Sequence, residues 1–120
     1  MTSTSLNHQA DLDTTLAELP PLPMAALMIG VYNLLQAGAD LPQPCHVSVS
    51  ETAQDISLQF PGKQPSRQAI AQWARRFGGT VTTQPHHDGR GQFTRITATF
   101  GYYGLTVKTY TYIPAAPAST

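Results

Sequence analysis

Cysteine, charge and long apolar runs are all scarce in this chain, and each scarcity removes a class of protein. A single cysteine, Cys45, excludes an internal disulfide framework and a multi-cysteine zinc site. Charged residues make up 12% of the 120 positions, about half the usual share. Thr and Gln therefore supply much of the polar surface, and uncharged polar surface protects less well against self-association. The longest apolar stretch, residues 24–35, is interrupted by Gly30 and Asn33 and falls far short of the ~20 residues that span a bilayer. The opening MTSTSLNHQADLD has neither a basic n-region nor an apolar h-region, so no secretory signal is expected. A soluble cytoplasmic protein with no membrane partner fits these absences.

Catalytic signatures are missing too. The chain contains no GxSxG, Walker A, GxGxxG or HExxH motif. Glu18, Glu51 and Asp55 form no paired-carboxylate pattern. No catalytic residue, metal ligand or cofactor is assigned, and a non-enzymatic protein is expected.

What is present is an uneven charge distribution. Residues 1–60 hold Asp11, Asp13, Glu18, Asp40, Glu51 and Asp55 and no Lys or Arg. Residues 61–120 hold Lys63, Arg67, Arg75, Arg76, Arg90, Arg95 and Lys108 against the single acid Asp88. Such asymmetry fits either a polyanionic partner or two halves that neutralise each other on folding.

Periodicity predicts one α+β domain over residues 11–113, with a disordered lead over 1–10 and a disordered tail over 114–120. A short helical turn within 11–18 precedes the Pro20-Pro21-Leu22-Pro23 stop. A helix follows over residues 23–37, closed by Gly38. Its broad apolar face (Met24, Leu27, Met28, Val31, Leu34, Leu35) is expected in the core, with Tyr32 at its edge. The other face, with Ala26, Ile29, Gly30, Asn33 and Gln36, carries no charge. An uncharged outer face needs a cover, from this chain or from a second subunit.

Alternation in CHVSVS and DISLQF predicts a hairpin over residues 45–60. A second helix is expected from a Ser66 cap to Gly78, with Ile70, Trp73, Ala74 and Phe77 inward. A strand over 80–84, a loop over 85–91 and a hairpin over 92–113 complete the order α-ββ-α-βββ, with helices packed on a largely antiparallel sheet.

An even-length turn in that last hairpin places Phe93, Arg95, Thr97 and Thr99 beside Thr106, Lys108, Tyr110 and Tyr112 on one face. Aromatic rings that stack on bases and cations that follow phosphates make this a candidate single-stranded nucleic-acid surface. The same side chains suit a protein hot spot. They also suit a plain sheet, because Tyr, Phe and Thr favour strands and Arg95 could stack on Tyr110. Two further groups read as structural. His86-His87-Asp88, with His46, matches no standard zinc spacing and is expected as a solvated turn. Cys45 and His46 are strand neighbours that point apart, and Cys45 is expected as a buried apolar filler.

The strand Val47–Ser50 (VSVS), the helix segment AQWARRFGG over residues 71–79, and the closing TATFGYYGLTVKTY over 97–110 resemble small uncharacterised proteins of actinobacteria and their phages or mobile elements. The resemblance implies an origin of that kind and carries no activity or site residue with it. Two functions are expected from the residues themselves. One is an interaction or self-association module that uses Ala26, Ile29 and Asn33 with the aromatic sheet face. The other is a nucleic-acid-binding accessory protein that uses Phe93, Arg95, Lys108, Tyr110 and Tyr112.

Overall fold

The computed structural model describes residues 20–115. The lead over 1–10, the turn within 11–18 and the last five residues of the tail lie outside them. Pro23 caps the first helix, α1 (Met24–Ala37), and Gly38 closes it. The hairpin β1 (His46–Ser50) and β2 (Asp55–Gln59) follows. The second helix, α2 (Pro65–Phe77), ends at Gly78 in the left-handed region, at φ 94°. Pro65 rather than a Ser66 cap opens α2. Proline suits this position because its missing N–H would find no partner in the first turn. Ser66 lies buried inside that turn and donates its hydroxyl to the Pro61 carbonyl.

The strands β3 (Thr80–Asp88), β4 (Gly91–Tyr102) and β5 (Leu105–Pro114) complete the expected order. They join β1 and β2 in one five-stranded sheet of order β1-β2-β5-β4-β3. All neighbours are antiparallel except β2 and β5, which run parallel. Both helices pack on the same side. Leu27, Val31 and Leu34 of α1 and Ile70, Trp73 and Ala74 of α2 share one core with Ile56, Leu58, Ile96, Phe100 and Val107. Phe77 stacks between Trp73 and Phe100, at centroid distances of 5.5 and 5.1 Å. Among the described residues no helix is long and apolar enough to cross a membrane.

Three expectations are corrected. The loop over 85–91 is mostly strand: β3 continues through Pro85, His86 and His87, and a turn at Gly89-Arg90 joins it to β4. Proline is tolerated there because β3 is an edge strand whose outward N–H groups bond no neighbour. Cys45 is exposed rather than buried, since it precedes edge strand β1 and its thiol donates to the Gln59 carbonyl at 3.4 Å. The last strand includes Pro114, and Ala115 donates its N–H to the Gln92 carbonyl at 3.0 Å.

Candidate interaction surfaces

Helix α1 carries the largest departure from expectation. Met24 and Met28, expected in the core, are 40% and 51% exposed, and Tyr32 is 64% exposed. Gly30, expected outside, faces inward so closely that a Cβ there would lie 2.7 Å from Leu105 Cδ1. The helix is therefore rotated from the orientation its apolar residues imply. Because it is apolar on both sides, its sequence contains little amphipathic signal to orient it. Small Gly30 admits Leu105, and that approach selects the inward face.

The outward face carries no charge, like the whole stretch over residues 20–39, and its polar members are Asn33 and Gln36. Met24, Met28 and Tyr32 stand one turn apart along it, with Ile29 (62% exposed) beside them. Ala26, half-buried, and Asn33, exposed, border a groove of about 530 Å³ between α1 and the β4–β5 turn. Leu22, Ile29 and Tyr103 also line it. Two local devices build its walls. Gln54 clamps the chain before α1: Leu22 N–H donates to Gln54 Oε1 at 2.8 Å, and Gln54 Nε2 donates to the Leu22 carbonyl at 3.0 Å. On the other wall, Tyr103 and Gly104 hold φ of 49° and 84°. Two successive positive values mark the tight hairpin turn that matches strand twist, and it leaves Tyr103 91% exposed at its tip.

That two-residue turn is one of the even-length turns expected, so the β4–β5 faces divide as the alternation predicts. Ile96, Ala98, Phe100, Val107, Thr109, Thr111 and Ile113 are buried. On the open face, Arg95 lies opposite Tyr112, Thr97 opposite Tyr110, and Thr99 opposite Lys108. Ser57, Arg95, Thr97, Lys108, Tyr110 and Tyr112 line a shallow groove of about 540 Å³ there. Tyr110 and Tyr112 meet edge to face at 6.0 Å, and the Tyr110 hydroxyl lies 3.4 Å from Gln59 Oε1.

The electrostatics of this face are mostly self-contained. Lys108 Nζ sits 3.1 Å from the carboxylate of nearly buried Asp55. Arg90 pairs with Asp88 at 2.9 Å and places its guanidinium 5.2 Å from the Phe93 ring centroid. Hydrogen bonds from the Arg90 side chain and backbone hold the Asp88 carboxyl far below the ordinary carboxylate range, and Asp88 raises the Arg90 pKa in return. Arg95 makes no ion pair among the described residues. That cation–π contact is between Arg90 and Phe93, while Arg95 lies directly across from Tyr112 and not from Tyr110.

His86 joins this end of the sheet, 4.7 Å from Tyr112 by ring centroid and 3.3 Å from Asp88 Oδ2 through Nε2. Sequence reasoning missed it because Pro85 was read as the end of a strand. His46 lies in β1, at the opposite edge of the sheet from His86 and His87. No group of three metal-ligating side chains forms among the described residues.

Part of the uneven charge is matched within the chain. Arg76 clasps Asp40 through two bonds of 3.1 and 2.8 Å. The Arg76 hydrogen bond lowers the Asp40 pKa, and Asp40 raises that of Arg76. With Lys108 on Asp55, two cations of the basic half are spent on acids of the other. Comparisons with protein-family models, with curated proteins and with solved structures find no match.

Proposed function

We propose that this protein is a non-enzymatic interaction module that docks onto a protein surface through the outward face of α1. One observation carries the reading. Except for Val81, every large exposed apolar side chain among the described residues lies on α1 or beside its groove: Leu22, Met24, Met28, Ile29, Tyr32 and Tyr103. Scattered exposed apolar residues are normal, whereas a contiguous apolar patch marks an interaction site. Ile29→Asp places a charge at the centre of that patch without touching the core. The variant should stay folded by circular dichroism and lose whatever assembly or partner capture the wild type shows in light scattering and affinity purification. If assembly and capture are unchanged, α1 is not the docking face.

The open sheet face supports a second reading, as a surface for single-stranded nucleic acid, because uncompensated Arg95 stands beside Tyr110 and Tyr112. It ranks second because Lys108 and Arg90 are already paired with acids. Fluorescence anisotropy with labelled single-stranded DNA and RNA at two salt concentrations tests it. Saturable, salt-sensitive binding that Arg95→Ala weakens supports the reading. Absence of binding at low salt removes it.

A further inference from the structure

We infer that the free edge of β3 pairs with the β3 edge of a second copy of this chain, antiparallel, with the two-fold axis at Thr82. This surface is separate from the α1 face and does not rest on the docking role proposed for it.

The turns decide which backbone groups of β3 are free. Gly89-Arg90 joins β3 to β4, with Asp88 opposite Gly91. Residues that flank such a two-residue turn exchange both ladder bonds, and bonding then alternates along the pair. Thr80, Thr82, Gln84 and His86 therefore bond β4, while Val81, Thr83, Pro85 and His87 turn their backbone groups outward. The β4–β5 turn gives the same answer. It sets Tyr102 against Leu105, which commits the even-numbered residues of β4 to β5 and leaves the odd-numbered ones for β3.

This edge is long and lightly guarded. Thr80 through Pro85 are all exposed, and residues 77–87 contain no Asp, Glu, Lys or Arg. Charge and proline are the usual guards of a free edge, and Pro85 guards only the C-terminal half of this one. The other edge strand, β1, has five residues against nine in β3.

Outward N–H and C=O groups are matched by another extended backbone, and the register singles out a second copy. With the axis at Thr82, Val81 faces Thr83 of the other copy twice, each time as a hydrogen-bonded pair. Thr82 faces Thr82, and Thr80 faces Gln84, on the open side of the sheet. Facing threonines are a favourable cross-strand pair. Pro85 falls opposite Gly79, just before β3 begins at Thr80, so its missing donor removes no bond from the ladder. A two-fold axis sets each edge against itself, and no charge near this one meets its own kind. The pairing also covers part of Val81, 37% exposed and the one large apolar side chain exposed away from α1 and its groove. Residues 80–84 of each copy are far fewer than the roughly 20–30 a side of a stable interface, so the contact is transient. It forms well above the dilute concentrations of light scattering and affinity purification, and the Ile29→Asp test of α1 reads separately from it.

Sedimentation equilibrium up to millimolar protein, together with site-directed cross-linking, tests the arrangement. Wild type should dimerise weakly. Thr83→Pro removes an outward N–H from each copy and none from the β4 ladder, so it should keep the fold and weaken dimerisation roughly tenfold or more. Thr83→Val retains that N–H and should dimerise as wild type does. In a Cys45→Ser background, Thr82→Cys should form an intermolecular disulfide under mild oxidation, because the facing residues would lie about 4.5 Å apart by Cα. Gln84→Cys should not, because its two copies would lie more than about 13 Å apart at 3.4 Å rise per residue. A wild type that is monomeric at every concentration, a dimer unaffected by Thr83→Pro, or equal cross-linking through Gln84→Cys overturns the pairing. So does slow hydrogen exchange of the Val81 and Thr83 amides in dilute protein, which would assign the edge to residues 1–19 of the same chain.

Discussion

The six-membered ring of Trp73 presses against Gly38 so closely that a methyl group there would fall 2.5 Å from Cη2 and 2.8 Å from Cζ3. The indole cannot retreat. It is fully buried, and its Nε1 donates to the Pro42 carbonyl at 2.6 Å. Gly38→Ala should therefore destabilise the fold by about 1–3 kcal/mol, the usual cost of overpacking. Chemical denaturation of the two proteins checks it, and equal stability would mean that the α1 end and α2 pack less tightly than described.

Two carboxyls have depressed pKa values, Asp40 beside Arg76 and Asp88 beside Arg90. A carboxyl that is more acidic in the folded state contributes stability above its unfolded pKa of about 4 and loses it as pH falls through the folded value. Both contacts should therefore hold at neutral pH and weaken only on strong acidification. Side-chain carboxyl titration by NMR should give midpoints below the ordinary range for both. Arg76→Gln should raise that of Asp40, and Arg90→Gln that of Asp88, each without moving the other.

Asp55 is 8% exposed, and its carboxylate depends on Lys108, 3.1 Å away. A double-mutant cycle with Asp55→Asn and Lys108→Met should show a favourable coupling of about 1 kcal/mol, near the upper end for pairs with one partner in water. Lys108→Met alone should be the worse of the two single changes, because it leaves a buried charge unpaired. Zero coupling at low salt would contradict the pair.

Thr111 is fully buried on the core side, where its single hydroxyl proton is shared between the Phe60 and Pro61 carbonyls, at 3.0 and 2.8 Å from Oγ1. These bonds close the end of β2 onto β5. Thr111→Val keeps the shape and removes the donor, so a loss of about 1–2 kcal/mol is expected. Thermal unfolding checks it, and an unchanged melting temperature would show that the hydroxyl contributes nothing.

Alternation made the sheet faces legible before any coordinates. It set Arg95 on the face with Tyr110 and Tyr112, where the structure has them. The parallel β2–β5 pairing was not legible, because the contact joins segments about fifty residues apart and leaves no local pattern. The orientation of α1 was misread for a physical reason. With Met28 and Ile29 outside and Leu27 and Val31 inside, both sides are apolar and periodicity cannot choose between them. The deciding contact, Gly30 against Leu105, lies between distant parts of the chain. What the sequence did show was the missing charge on α1, and hence that an outer face would be left in need of cover.

The central claim, that the outward face of α1 is a docking face, is tested most directly by comparing wild type with Ile29→Asp in light scattering and affinity purification. The account predicts that the variant keeps its fold by circular dichroism and loses the assembly or partner capture of the wild type. Assembly and capture that are unchanged in a folded Ile29→Asp would contradict it.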